Sequence, residues 1–192
     1  ILDCKENATL VVGHNAKTKE ELERMIHEGR WKEFIREIPI KPGDFIQIDP
    51  GTVHAIKGGT LLLETQQSSD ITYRVYDYDR LSNGKPRQLH IAQSIDVITV
   101  PAKSVDNSVV HTEKKDDVIQ QLIQCPYYTV YRIDVEHRVE TWQDKPFVLM
   151  SVVEGEGTLN GTPLKKGDHL ILPDGYGKVE LQGRMQIIAS TI

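Results

Sequence analysis

The chain has 192 residues, 39% of them apolar and 27% charged, with a formal net charge of −5. This is an ordinary globular composition, long enough for one large domain or two small ones. The negative balance speaks against nucleic acid or an anionic membrane surface as partner. No apolar window of about eighteen residues occurs, so no membrane-spanning helix is expected. Cys4 and Cys125 have neither metal nor redox spacing and suit free thiols in the cytoplasm.

Ile1-Leu2-Asp3-Cys4 reads as the second half of a strand, with Thr9 to Gly13 as its hairpin partner, so the sequence is expected to be a fragment. Thr18 to Ile38 is predicted helical. Thr18 and Glu21 form a capping box, and Leu22, Met25 and Ile26 make one apolar stripe. Trp31, Phe34, Ile35 and Ile38 make a second stripe, and Gly29 ends the first helix between them. The Trp and Phe stripe fits packing against a sheet better than lining a ligand groove. From Ile40 to about Val75 short strands alternate with Gly and Pro turns, Asn83 to Pro86 is a loop, and Leu89 to Val97 is helical. Val100 to Ser108 has linker composition, which puts a boundary near residue 101. Asp116 to Gln124 is predicted to be another short helix, with Val118, Ile119, Leu122 and Ile123 buried. Six short strands follow: Tyr127–Val135, Arg138–Trp142, Phe147–Glu154, His169–Leu172, Lys178–Leu181 and Met185–Ala189.

An internal repeat relates the two halves. Lys41-Pro42-Gly43-Asp44, followed by Pro50, Gly51 and His54, echoes Lys165-Lys166-Gly167-Asp168, followed by Pro173, Gly175 and Lys178. Ten residues beyond each Asp stand His54 and Lys178. The repeated strand-turn-strand unit implies two related jelly rolls, and the second lacks the histidine.

Lys41 to Arg80 carries the chemistry. Gly43-Asp44 and Pro50-Gly51 bracket a strand with Phe45, Ile46 and Ile48, and His54 falls at the head of the next strand. A side chain there stands at the mouth of a barrel, although one His after a turn often serves structure alone. Pro50 to Ile56, Glu64 ten residues after His54, and the run Gln66 to Arg80 resemble the bacterial type I mannose-6-phosphate isomerases. The resemblance covers nearly the whole chain, and residues 66–80 are its most specific part.

The resemblance implies a mainly β fold: cupin jelly-roll barrels in two related lobes, the first incomplete, with a few short helices. Residues 1–100 would be the remainder of the catalytic cupin lobe, with a helical insertion at 18–38. Residues 101–192 would be a C-terminal jelly-roll lobe without metal ligands. It also implies an aldose-ketose isomerase that interconverts mannose 6-phosphate and fructose 6-phosphate by zinc-assisted proton transfer through an enediolate, in the cytoplasm. His54 matches the family's His zinc ligand and Arg74 its catalytic arginine, the other reading of Arg74 being an ion pair with Asp70 or Asp77. Glu64 matches an acidic residue suited to proton transfer or substrate orientation, or else merely faces solvent. Charge alone makes Arg80 and Lys57 candidates for the phosphate.

The family's remaining zinc ligands, a Gln and a His from a Gln-x-His-Pro motif and a Glu, are absent here and are expected upstream of Ile1. The missing N-terminal segment is thus an expected partner, and the fragment alone is expected to be inactive. His14, His27, His90, His111, His137 and His169 lie in no matching motif. The alternative is a non-catalytic cupin that binds a sugar phosphate or serves as a structural partner. Cupin dioxygenases use a His-x-His pair that this chain does not contain.

Overall fold

The computed structural model describes residues 1–69, 71–78, 80–105 and 109–192. Asp70 and Asn107-Ser108, named above, lie outside them. Two compact units divide after Val110, nine residues beyond the boundary expected from linker composition. The linker-like residues are not solvent-filled spacer: Val100 packs with Phe34 and Ile98, and Val105 and Val109 pack with Leu10 and Ile40.

In the first unit, β1 (Asp3–Cys4) and β2 (Thr9–His14) are followed by α1 (Lys19–His27), α2 (Trp31–Phe34) and β3 (Ile35–Pro39). Thr18 caps α1 by accepting from the Glu21 N–H at 3.2 Å, while Glu21 Oε2 accepts from the Lys17 N–H at 2.7 Å, one residue before the cap itself. Gly29 ends α1 at φ +65. Its N–H reaches the Ile26 carbonyl and that of Arg30 reaches Met25, the paired bonds of a Schellman motif. The helix predicted to run on to Ile38 does not. Pro39 holds the preceding residue in extended backbone, and Ile38 pairs with Leu10 in β2. Ile35 to Pro39 is therefore strand.

The rest of this unit is short strands: β4 (Asp44–Ile46), β5 (His54–Ala55), β6 (Thr60–Leu61), and the hairpin β7 (Leu81–Ser82) with β8 (Lys85–Pro86). Helix α3 (Ile91–Val97) comes next, and β9 (Val109–His111) begins where the unit closes. β2 runs between β3 and β5. Leu22, Met25 and Ile26 of α1 pack with Phe34, Ile95 and Ile98, as the helical stripe predicted for α1 requires.

The second unit is one seven-stranded antiparallel sheet. Its strands are β10 (Val118–Gln124), β11 (Thr129–Val135), β12 (Arg138–Gln143), β13 (Phe147–Leu159), β14 (Thr162–Lys165), β15 (His169–Pro173) and β16 (Gly177–Thr191). The helix predicted at 116–124 is the strand β10. Its burial alternates with period two until a register shift between Gln121 and Ile123. That bulge produces the apolar spacing that mimics a helix. The two strands predicted at 178–181 and 185–189 are one, β16, which pairs with β12 through its first half and β11 through its second. Gly183 is the reason: at φ +114 it stands opposite Gly157, and a Cβ on it would lie 2.6 Å from the Gly157 Cα. Ile187 and Leu181 are fully buried at this seam.

The repeated turn is real in both units. The Asp44 carboxylate accepts from the Lys41 N–H at 2.9 Å and that of Asp168 from Lys165 at 2.8 Å, with Gly43 at φ 90 and Gly167 at φ 92. A different carboxylate organises the β11–β12 corner. Asp117 Oδ1 accepts from the backbone N–H groups of His137, Glu136 and Arg138 at 2.9–3.0 Å. These bonds hold its pKa at about 2, below the ordinary 3.8.

Ile187→Ala is expected to destabilise the second unit by about 3 kcal/mol, whereas Ile171→Ala, at a site 66% exposed, should change little; urea unfolding of both checks this. For Asp117 the depressed folded pKa means the unfolded chain binds more protons as acid is added, so its contribution is present above pH 3.8 and is lost toward pH 2. The stability gap between wild type and Asp117→Asn should therefore shrink as pH falls through that window.

Candidate active site

His54 begins β5, a strand of two residues held by β2: Val12 is paired with His54 and Val11 with Ala55. The Gly13 N–H adds a 2.6 Å bond to the Val53 carbonyl. Directly opposed residues share a sheet face, so His54 lies on the face of Val12 and, through the alternation, of Leu10 and Ile38, which pack together. The imidazole is exposed. Its Nδ1 lies 2.9 Å from the Thr52 carbonyl oxygen. A carbonyl only accepts, so Nδ1 carries the proton and Nε2 presents its lone pair outward. A metal-ligating histidine is commonly oriented in this way.

Arg74 is half-buried and anchored through its backbone. Its N–H donates to His90 Nδ1 at 3.1 Å, and the His90 N–H donates to the Arg74 carbonyl at 2.8 Å. Val75 packs with Phe34 and Ile98. The guanidinium donates to the Gln88 carbonyl at 3.3 Å and only grazes Asp77, at 4.0 Å. Asp77 is a distant ion-pair partner of Arg74, because its oxygens are already held by other arginines; Asp70, the other candidate partner, lies outside the described residues. Arg87 holds both carboxylate oxygens, with Nε at 2.7 Å from Oδ2, and Arg80 donates to Oδ1 at 2.9 Å. These bonds, led by Arg87, hold the Asp77 pKa at about 2.

Glu64 lies beyond the end of β6, exposed and outside any strand. Among the described residues no hydrogen bond or ion pair joins His54, Glu64 and Arg74 to one another. Lys57 is engaged elsewhere: its ammonium donates to Glu37 at 2.7 Å and to Thr9 at 2.9 Å. Other histidines have structural partners. Buried His14 donates from Nε2 to the Thr99 carbonyl at 2.9 Å and stacks on Phe34, and burial lowers its pKa. His137 meets Asp117, and His169 meets Ser151 at 2.8 Å. A cavity of about 20 Å³ lined in part by His14, Arg36, Asp49 and Thr52 is too small for a sugar.

Reading the sequence missed Arg87 and the aromatics behind the Asp77 carboxylate, and named Asp77 only as an alternative partner of Arg74. Trp31 stacks on Tyr76 with ring centres 4.5 Å apart, Tyr76 meets Tyr78 at 4.5 Å, and Arg80 lies over Tyr78 at 5.5 Å. Trp31 is 45 positions from Tyr76, and no spacing announces that contact.

Residues 118–192 match the family model described as "Mannose-6-phosphate isomerase, cupin domain". The mannose-6-phosphate isomerase ManA of Bacillus subtilis (strain 168) is 47% identical over 99% of this chain. The chain is thus similar to mannose-6-phosphate isomerases over nearly its whole length. A mannose-6-phosphate isomerase of Streptococcus mutans is 42% identical over 99% of the chain. The crystal structure of a Bacillus subtilis mannose 6-phosphate isomerase superposes with a TM-score of 0.89 at 43% identity, over the whole of this chain and 63% of that one. The chain spans 62% and 61% of the length of these two curated relatives. Mostly β with few short helices, it carries the cupin fold of that family.

The family implies a metal. His54 fits as one donor, since its tautomer is set by Thr52. The described residues gather no group of three or more His, Cys, Asp or Glu around it or elsewhere. His54→Ala in the metal-loaded protein is expected to lower bound metal measured by elemental analysis, and full occupancy in that variant would remove His54 from the ligand set.

Proposed function

We propose that this chain is part of a cytoplasmic isomerase that interconverts mannose 6-phosphate and fructose 6-phosphate, with zinc as its metal. The observation that carries the reading is an outward-facing imidazole, its Nδ1 committed to Thr52, and, separately, an arginine that Asp77 meets only at 4.0 Å. Both sit within a sequence akin to mannose-6-phosphate isomerases over 99% of its length.

Moving a proton between adjacent carbons of the sugar builds negative charge on a carbonyl oxygen. A fixed guanidinium beside that oxygen stabilises the charge where water is excluded. In this reading Arg74 does so, because its backbone is clamped to His90 and its Nη1 rests on a neutral carbonyl. Glu64, exposed on its loop, is the proton carrier or the group that orients the sugar hydroxyls. His54 supplies one zinc ligand, and the others belong to a segment of the same protein outside these residues. One imidazole holds zinc weakly, so the 192-residue chain alone is expected to be inactive. A second reading, a cupin that binds a sugar phosphate without converting it, has in its favour that the described residues gather no group of three or more metal-ligating side chains.

Conversion of mannose 6-phosphate to fructose 6-phosphate, assayed with added zinc on this chain and on the longer reading frame, separates the two. Activity of the longer protein supports the isomerase, and substrate binding without turnover supports the second reading. Arg74→Ala in the active protein should lower kcat by about 10²–10³ with metal content unchanged; normal turnover would remove Arg74 from the mechanism.

A further inference from the structure

We propose that buried His14 is a positioning residue for His54, acting through Thr99 and the turn from Asp49 to Thr52. As positioning of a metal ligand, the inference rests on the reading above.

Three hydrogen bonds in series join the two histidines. His14 Nε2 donates to the Thr99 carbonyl at 2.9 Å, and the Thr99 N–H donates to the Gly51 carbonyl at 3.0 Å. The next carbonyl along the turn, that of Thr52, accepts from His54 Nδ1 at 2.9 Å. The turn closes on itself through the Thr52 N–H and the Asp49 carbonyl, 3.1 Å apart. Its contact with Thr99 has no slack: a Cβ on Gly51 would lie 2.6 Å from Thr99 Oγ1 and 2.7 Å from the Val97 carbonyl oxygen. A shift of Thr99 is therefore passed to the turn. His14 is also the last residue of β2, the strand whose Val12 pairs with His54. One strand thus holds His54 twice, by its backbone ladder and, through Thr99, by its final side chain.

Two features of His14 are costly unless the bond to Thr99 is needed. The first is its aim. Strand alternation would put His14 on the face of Val12, which packs with Leu10 and Ile38. Instead the register of β2 against β3 shifts between Val11 and His14, and the imidazole stacks on Phe34 with ring centres 5.3 Å apart. A bulge re-aims a side chain in this way. The second is its polarity. His14 is 3% exposed, burial lowers its pKa and so keeps the ring neutral, and the Thr99 carbonyl takes the Nε2 proton. Nδ1 is left as a buried acceptor that meets no donor among the described residues, which costs stability. Phenylalanine would fill the same place against Phe34 without that cost. What it lacks is the donor for Thr99.

Proton–nitrogen NMR of this chain reads the tautomer of His54 directly, with no metal needed. Wild type should carry the proton on Nδ1. His14→Phe keeps the ring stack and loses the donor, so a measurable share of that proton should move to Nε2. Hydrogen exchange at the Thr99 amide should quicken by about tenfold in the same variant. His14→Gln, whose Nε2 donates from a similar reach, should restore both readouts, and His14→Met, close to Gln in shape but without a donor, should not. Ile26→Ala loosens the same core without touching these bonds; it should lower stability in urea and leave the His54 tautomer as in wild type. Urea unfolding shows that each variant is folded. A proton on Nε2 in wild type, a wild-type tautomer in both His14→Phe and His14→Met, or an equal change in Ile26→Ala overturns the proposal. In the metal-loaded protein, competition with a chromophoric chelator should show zinc held about tenfold more weakly by His14→Phe than by wild type. Unchanged zinc affinity beside an altered tautomer overturns the positioning of a metal ligand. A shifted tautomer in a protein with no isomerase activity keeps the link from His14 to His54 and sinks the proposed function. Isomerase activity with wild-type tautomer and zinc affinity in His14→Phe does the reverse.

Discussion

The first unit depends on a two-residue strand. β5 is too short to hold itself, and its place comes from β2, which pairs with it at Val11 and Val12 and donates from Gly13 to Val53. β2 in turn is fixed on its other side by β3, through Leu10 with Ile38 and Thr9 with Pro39. A side chain at the head of β5 is therefore held by a three-stranded sheet although its own strand contributes two residues. The turn before it completes the arrangement, because the Thr52 carbonyl selects the histidine tautomer. The orientation and tautomer of His54 thus follow from backbone geometry.

A second constraint is electrostatic. Asp77 is buried, and a buried carboxylate must be paired. Arg87 and Arg80 do this so completely that Arg74 is left at the edge of contact. Two guanidiniums hold the carboxylate, and the third is anchored by its backbone to His90. The aromatic stack from Trp31 to Tyr78 does for this loop what β2 does for β5.

Much of this is legible in the order of residues alone. The Thr18 half of the α1 cap, the Schellman glycine, the turn before His54 and the duplicated Gly-Asp turn are local features, each written within about four residues, and each forms as read, while Glu21 reaches Lys17 instead of the cap residue. His54, Glu64 and Arg74 can be picked out as residues, but not their partners. The errors share a cause. Ile35 to Pro39 and Val118 to Gln124 have apolar spacing that suits a helix in isolation. Both are strands because a partner outside the segment supplies the ladder: β2 for one, and the next strand β11, with a bulge, for the other. The break expected near Gly183 is absent because Gly157, 26 positions away, lets two long strands pass at close range.

The sequence by itself determined the mainly β character, the turns, the resemblance to mannose-6-phosphate isomerases and the identity of the residues to be tested, since these rest on local backbone preference and on residue types in fixed order. Tertiary structure alone decided which carboxylate holds which arginine, which nitrogen of His54 faces outward, and that Trp31 stands behind the arginine loop. Those outcomes depend on distances between groups far apart in the chain, and a hydrogen bond or ion pair is set by angstroms in space, which no spacing in sequence encodes.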